Sequence, residues 1–364
     1  MRHVRLLRHW CEKASQIMVL DPESNPFSFP ILEYLHISPV LMPTILSISA
    51  AHEQFFKKDC LETCLEERGK ALLLWQNELG GRQQPHPITF MSVFMLGIST
   101  PWIDPLSSQF GYEHLNGARV LIELILNSST NTDDKFAQLA LGIYLYWDMA
   151  CSFLLEPNQQ FTIRSSIPKA VAKIAEDFHP IMGYSAESMY TLANLGRYCT
   201  SFIDLGIRDK ALEEEFETRL LAWRPTTKNT ELILLGSSFR NHGLINLYRI
   251  CGRTGYRTEE ELDLGIHSPE NIETEKTVRD LSLIPTHNWH TNLQAISLLT
   301  AGSELTAVDH RERDIVVDRF TALYSINRLP GNLMAMTFCK MFGKPVILKL
   351  PSHGYTPCSY EDGG

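Results

Sequence analysis

Residues 60–79 read CLETCLEERGKALLLWQNEL, and this stretch decides the fold class. Its apolar positions recur at steps of three, four and seven residues: Leu61, Cys64, Leu65, Leu72, Trp75 and Leu79. Because an α-helix turns once in about 3.6 residues, this spacing places the six side chains along one side of a helix. Gly80 and Gly81 predict the end of the helix, and Pro85 and Pro87 prevent it from resuming nearby.

The same periodicity recurs along the chain. Leu212, Phe216 and Leu220 repeat the four-residue step, and three glutamates are predicted to face elsewhere: Glu213, Glu214 and Glu217. Glu215 and Arg219 have the spacing of a weak surface ion pair. Further helices are predicted at 43–57, 88–99, 111–127, 134–155, 186–205, 230–250, 272–283, 286–303 and 305–328. The acidic stretch 259–275 is predicted to be an exposed loop.

Strand patterns are few, and the best is the short run Val346-Ile347-Leu348. The sequence therefore predicts an all-α protein, either a large helical bundle or an irregular α-solenoid, with about ten or more helices. The predicted organisation is one helical domain over residues 1–342 and a C-terminal tail over 343–364.

Charge argues against direct binding of nucleic acid. The formal net charge is −9, which repels a phosphate backbone unless a local basic patch overrides it. The one notable basic cluster lies at the start and is interleaved with apolar residues: Arg2, His3, Arg5, Arg8 and His9. It predicts an amphipathic first helix with a solvated basic face, while a nucleic-acid arm or a membrane-surface helix are the alternatives.

No secretory signal or membrane span is predicted. The apolar run 139–155 contains Asp148, and Asp21-Pro22 follows the short apolar stretch 17–20. The eight cysteines are scattered, as is typical of reduced thiols rather than a disulfide framework. We therefore expect a protein of the nucleus or cytoplasm.

A candidate ligand pocket is predicted around Asp148. Tyr144, Asp148 and Cys151 lie at steps of four and three on one helix face, beside Trp147. A carboxylate in so apolar a helix needs a partner. One alternative is an interhelical hydrogen bond or ion pair, and the other is a polar anchor in a pocket walled by Tyr144, Trp147 and Trp102. Arg240 and His242, in another apolar helix, either line the same cavity or belong to a buried polar network.

Neither a metal nor another cofactor is predicted. His287 and His290 are three residues apart but have no third ligand nearby, and Cys60 and Cys64 lie four apart on one predicted helix without a second pair. No phosphate-binding glycine loop and no nucleophile elbow is present, so catalytic residues stay unassigned.

Six ordered segments resemble one family, the fungal-specific transcription factor domain. Its early helix ending in Ser-Ala-Ala-His is similar to PVLMPTILSISAAH at 39–52, and its next helix to GKALLLWQNEL at 69–79. Its tryptophan followed by a His-Leu-x-Gly-Ala helix start resembles Trp102 and residues 114–118. Three further elements resemble YLYWDMACSFL, the segment from Leu220 to Pro225, and LLTAGSELTAVDHRERDIV. The matches run from about residue 6 to residue 342.

The resemblance implies a helical regulatory domain. Full-length members usually have an N-terminal binuclear zinc cluster of six closely spaced cysteines, and here the sequence from Met1 onward resembles the regulatory domain alone. We therefore expect an effector or interaction domain without its own DNA-binding module, tied to fungal specialised metabolism. It would act through a small apolar ligand, a protein partner or a homodimer, without direct contacts to nucleic acid or membrane. The alternative is a stand-alone enzyme of natural-product biosynthesis, a cyclase or pericyclase that folds a terpenoid or polyketide in an apolar pocket.

Overall fold

The computed structural model describes residues 2–55, 60–80, 86–104, 112–127, 135–157, 166–252, 269–306 and 308–341. Within these ranges the protein is all-α, as predicted. Strand-like pairing among these residues is limited to one isolated bridge, between His179 and Gly183. The predicted tail 343–364 and the short strand pattern within it lie outside the described ranges.

The helices follow in chain order with the bounds below. They are α1 Arg2–His9, α2 Phe29–Leu32, α3 Leu41–Glu53, α4 Cys60–Leu79, α5 Pro87–Ile98, α6 Thr100–Ile103, α7 Tyr112–Asn127, α8 Lys135–Ser152, α9 Ser166–Ile174, α10 Ala186–Leu205, α11 Lys210–Ala222, α12 Thr230–Cys251, α13 Pro269–Ser282, α14 Ala295–Glu304, α15 His310–Asn327 and α16 Pro330–Met341. A π-helical turn, Trp10–Ala14, extends α1, and a 3₁₀ segment, Trp289–Leu293, precedes α14.

Helix α8 lies in the interior because it is apolar on nearly all sides, as expected of a helix surrounded by other helices. It packs against α5, α7, α9 and α10. In the second half of the chain, α12 packs against α10, α11, α13 and α14. Most of the buried apolar side chains form one connected core that runs from Leu6 in α1 to Ala335 in α16, and Val40, Ala71 and Leu96 form a second, small cluster. This arrangement surrounds Asp148 of α8 with protein.

The amphipathic first helix is present. Leu6 and Trp10 are fully buried, and the Trp10 indole Nε1 donates a hydrogen bond to the Phe27 carbonyl oxygen at 2.6 Å. Val4 is 69% exposed on the outer side. Helix α1 is thus fixed to the body of the domain by its apolar side.

Two predicted elements differ in the structure. The helix predicted at 286–303 is divided, because the Asn288 side chain accepts a hydrogen bond from the His290 backbone N–H and starts a 3₁₀ turn before α14 begins. The loop predicted at 259–275 is wrong over its last part, since α13 begins at Pro269. A proline at the first position of a helix costs no hydrogen bond, which explains that start.

Periodicity predicted where the helices lie better than it predicted which of their side chains are buried. On α4, Cys64 is buried, but Leu61 and Leu65 are 42% and 50% exposed, so the predicted apolar side is partly open to solvent. On α11, Glu213 was predicted to face away from the core and is fully buried instead. Arg208 Nη2 lies 2.7 Å from its Oε2, and the Tyr198 hydroxyl donates to its Oε1 at 2.6 Å, so the charge is compensated.

Candidate functional site

Asp148 is the centre of a buried charge cluster that joins three helices. Its side chain on α8 is 3% exposed, and both carboxylate oxygens accept hydrogen bonds from guanidinium groups. Arg119 of α7 reaches Oδ1 with Nη2 at 2.6 Å. Arg197 of α10 places Nη1 at 3.0 Å from Oδ1 and 2.9 Å from Oδ2. We refer to these three residues as the Asp148 cluster.

Tyr144 joins the Asp148 cluster from one turn earlier on α8. Its hydroxyl oxygen accepts a hydrogen bond from Arg119 Nε at 2.9 Å, and the side chain is fully buried. Burial, followed by the adjacent Asp148 carboxylate, raises the pKa of the Tyr144 hydroxyl well above its usual value. Tyr144 therefore stays protonated at neutral pH and serves as a hydrogen-bonding group rather than as a base.

Electrostatics stabilise the charged form of Arg119. Burial by itself lowers the pKa of this guanidinium, but Asp148 and Tyr144 raise it by more, so the net shift is upward. Burial and the Asp148 charge raise the pKa of the Cys151 thiol to about 12. A thiol that stays protonated is a poor nucleophile, so Cys151 is not equipped for covalent catalysis.

The two predicted tryptophans contact other parts of the core. Trp147 packs edge to face on Phe94, with ring centroids 5.6 Å apart. Gly97 makes room for it, since a Cβ at Gly97 would lie only 2.5 Å from Trp147 Cζ2. Trp102 donates a hydrogen bond from Nε1 to the Asn327 carbonyl at 3.1 Å, and its ring meets His52 edge to face.

Arg240 and His242 belong to a third group, on α12. Arg240 donates to the side-chain oxygen of Asn241 at 3.0 and 3.1 Å, and burial lowers the pKa of its guanidinium. His242 Nδ1 lies 2.7 Å from Thr300 Oγ1, and burial lowers the pKa of the imidazole to about 4. His242 Nε2 has no hydrogen-bond partner among the described residues.

The structure thus brings Tyr144 and Asp148 together and gives the other four predicted residues different neighbours. Trp102 contacts α15 and His52 of α3, and Trp147 contacts α5. Arg240 contacts Asn241, and His242 contacts α14 and the ring of Phe153. The pocket predicted around Asp148 stays a prediction. What the geometry provides there is an interhelical ion pair, one of the two alternatives read from the sequence.

Sequence reasoning missed the two arginines that contact Asp148. It required a partner for the carboxylate without identifying one. A signal was present, because Arg119 and Arg197 lie in largely apolar helical segments, RVLIELIL and LANLGRYC, in which Glu123 is the only other charged residue. An arginine in such a segment needs a buried carboxylate as much as the carboxylate needs it.

Two cavities open elsewhere. One, of 290 Å³, lies between α7, α8 and α9 and is lined by apolar and polar side chains, among them Leu141, Ser166 and Lys169. The second, of 210 Å³, lies between α10 and α11 beside Arg219 and Trp223. Neither is lined by the residues predicted for the pocket.

The described residues do not fit a zinc cluster. Among them, no group of three or more His, Cys, Asp or Glu side chains could share a metal ion. Cys60 and Cys64 are buried on α4, where Cys64 packs 3.6 Å from Ser47 Oγ. Nor is any helix within the described ranges long and apolar enough to cross a membrane.

These features define the class as an all-α protein with a buried charge cluster. Residues 5–337 match the family described as the fungal specific transcription factor domain. Because the match covers most of the chain, the protein belongs to that family, and its role is like that of a transcription regulator. No curated protein and no solved structure matches the chain.

Proposed function

We propose that this chain is the effector domain of a fungal transcription regulator, and that it acts through protein contacts rather than through DNA contacts of its own. Family membership over residues 5–337 supports the regulatory role. The observation that carries the second part is the charge pairing of α1, whose basic residues were the one notable candidate for binding phosphate.

Four of the five basic side chains of α1 have a carboxylate nearby, and the fifth, His9, contacts His52 at 2.9 Å. Arg5 Nη1 lies 2.6 Å from Glu53 Oε1, and this carboxylate is 6% exposed. Longer contacts of 3.8 to 3.9 Å join the remaining pairs, which are Arg2–Glu66, His3–Glu67 and Arg8–Glu12. A protein binds phosphate through unneutralised Lys and Arg side chains, so α1 is a poor site for DNA.

The DNA prediction is tested with the purified chain and labelled promoter duplexes. Fluorescence anisotropy at physiological salt should give weak binding without sequence preference, since the net charge is −9. A charge-matched competitor, poly-glutamate, controls for binding by electrostatics alone. Sub-micromolar, sequence-selective binding would contradict the proposal.

Regulation is tested in a fungal host that lacks the gene. The proposal includes control of genes of specialised metabolism, so transcripts of a biosynthetic gene set should change while unrelated transcripts stay constant. The enzyme alternative predicts a different result, in which transcripts stay constant, one product disappears and its precursor accumulates. Unchanged transcripts together with a lost product would therefore contradict the regulator proposal and favour the enzyme alternative.

The protein contact we propose is with a second copy of the chain, through the exposed row of α4. Leu61, Leu65 and Leu73 are 42%, 50% and 65% exposed and lie on one four-residue row. Gly69 completes this row, and a Cβ placed there would meet nothing within 4 Å. Four-residue rows of two helices interdigitate at a crossing angle of about 50°, the commonest packing class.

Charge supports an antiparallel pairing of the two α4 helices. Exposed Glu62 and Glu66 lie before Gly69, and exposed Lys70 lies after it. An antiparallel crossing near Gly69 brings the carboxylates of one copy toward Lys70 of the other, whereas a parallel crossing sets carboxylates against carboxylates. A two-fold axis at Gly69 places Gly69 of each copy on Gly69 of the other and Leu65 of each copy on Leu73 of the other.

Sedimentation velocity tests the dimer. A single helix pair is smaller than the standard interface of about 800 Å² per partner, so we expect dissociation constants in the micromolar range. Leu65→Glu and Gly69→Arg should each give monomers with an unchanged circular dichroism spectrum. Leu205→Glu, at a 60% exposed leucine on α10, is the matched control. A wild-type monomer at about 100 μM, or dissociation by the control alone, would refute α4 as the interface.

A further inference from the structure

The 290 Å³ cavity between α7, α8 and α9 is lined both by apolar side chains and by polar and basic ones. Its apolar wall is made by Leu126, Ala137, Leu141, Ala170 and Ile174. Its polar lining comes from Asn127, Gln138, Ser166, Lys169 and Lys173. Sites for small molecules combine these two kinds of surface, with a few polar groups that fix the orientation of the ligand.

Helix α9 supplies the basic side chains of the lining. Ser166, Lys169, Ala170 and Lys173 recur at helical spacing, so they share the face that lines the cavity. The opposite side of α9 holds the helix in the core through the buried Ile167 and Val171. The two lysines therefore stand one turn apart at the cavity on a helix that is itself anchored.

The serine and the two lysines that α9 contributes to the cavity have no hydrogen-bond or ion-pair partner within the described part of the chain. Ser166 Oγ is buried and has no hydrogen-bond partner there. Lys169 and Lys173 are exposed and form no ion pair with a described carboxylate. A buried hydroxyl without a partner is destabilising unless a ligand or a water satisfies it.

From this arrangement we infer that the cavity binds a small amphipathic carboxylate. The carboxylate lies between the Lys169 and Lys173 ammonium groups and accepts a hydrogen bond from Ser166 Oγ. The hydrocarbon part lies against Leu141 and the other apolar side chains. Two ammonium groups favour an anion over a neutral or cationic head group, and charge-assisted hydrogen bonds are the stronger kind.

Cavity size limits the ligand. A water molecule occupies about 30 Å³ in the liquid, so 290 Å³ corresponds to about ten waters. A carboxylic acid with about ten non-hydrogen atoms matches that volume, which is the size of octanoate. This site is distinct from the Asp148 cluster and does not depend on the regulatory role proposed above.

Isothermal titration calorimetry tests the inference with three eight-carbon probes. Octanoate should bind, 1-octanol should bind at least tenfold more weakly, and octylammonium should not bind. The paired variant Lys169→Gln/Lys173→Gln should lower the octanoate affinity at least tenfold and leave 1-octanol unchanged. Lys228→Gln removes an exposed charge far along the chain and should change neither affinity.

A second variant separates the cavity from the charges. Ala170→Phe fills the space with a side chain at a half-buried helix position, and should abolish binding of octanoate and 1-octanol alike. Circular dichroism and thermal unfolding establish that both variants are folded. No octanoate binding to the wild type at 10 mM would overturn the inference. Equal binding of octanoate and 1-octanol would overturn it too, as would binding that survives Ala170→Phe.

Discussion

Removing the Asp148 charge is expected to destabilise the fold strongly. In Asp148→Asn the shape is kept, but two guanidinium groups lose the carboxylate that they contact at 2.6 to 3.0 Å. The Arg119 side chain is only 4% exposed, so water cannot replace the lost partner. Breaking a buried ion pair by removing one partner costs about 3–5 kcal/mol, a large share of the total stability of a domain.

Arg197→Gln provides the matched comparison. The Arg197 side chain is 15% exposed and lies at the edge of the Asp148 cluster, and Arg119 still compensates Asp148 in this variant. We therefore expect a smaller loss, of about 1.5–3 kcal/mol, close to the value of a hydrogen bond to a charged group. The double variant Asp148→Leu/Arg119→Met should be more stable than Asp148→Asn, because apolar residues replace the most deeply buried pair and only the partly exposed Arg197 is left without its carboxylate.

Urea unfolding followed by circular dichroism measures these differences. The slope of the free energy of unfolding against urea concentration should be the same in all variants. A shift of the unfolding midpoint then reports a change in stability alone. A loss below about 1 kcal/mol in Asp148→Asn would refute the reasoning, as would a double variant less stable than Asp148→Asn. If Asp148 is instead a ligand anchor, Asp148→Asn keeps its stability and loses affinity for the ligand.

Three further predictions concern two glycines, one buried histidine and the metal content of the chain. Gly142→Ala should lower the free energy of unfolding by about 1–3 kcal/mol, because a Cβ there would lie 2.3 Å from His179 Nε2. Gly69→Ala, where a Cβ meets nothing within 4 Å, should raise it by about 0.5–1 kcal/mol in the same urea assay. Burial lowers the pKa of His179 to about 4 against about 6.5 in the unfolded chain, so its contribution is complete above pH 6.5 and is lost as the pH falls toward 4. The wild type should therefore lose about 3 kcal/mol more stability over that window than His179→Asn, and an equal drop in both would contradict the assignment. Elemental analysis of the purified chain should find less than one zinc per molecule, and a tightly held stoichiometric metal would contradict the ligand count.

The difference between what the sequence predicted and what only the structure showed is clearest on α8. Its apolar run predicted a helix surrounded by other helices, and Asp148 within it predicted a buried carboxylate that needs a partner. Both follow from local composition and from the cost of an unpaired charge. The identity of the partners did not follow, since Arg119 and Arg197 are 29 and 49 residues away.

The positions of the cavities are a second feature that the sequence did not predict. Tyr144, Trp147 and Asp148 lie on one helix and were assigned to one pocket with Trp102, yet their contacts go to different helices. The cavity between α7, α8 and α9 involves a helix that the sequence pattern missed altogether. The volume of a cavity depends on how three helices approach one another, and periodicity along one helix contains no information on that distance.

What the sequence determined by itself is the all-α class and the positions of most helices, because these depend on short-range periodicity and on helix-ending Gly and Pro residues that can be read locally. The family followed from the sequence too, through the resemblance of six ordered segments. Only the tertiary structure decided which sides of the helices are covered. Leu65 on α4 has the spacing of a core residue and is half exposed, while Glu213 on α11 has the spacing of a surface residue and is fully buried. The physical reason is that burial is a property of the neighbouring helix: Arg208 and Tyr198 compensate Glu213 in the interior, and no described side chain covers Leu65 to the same degree.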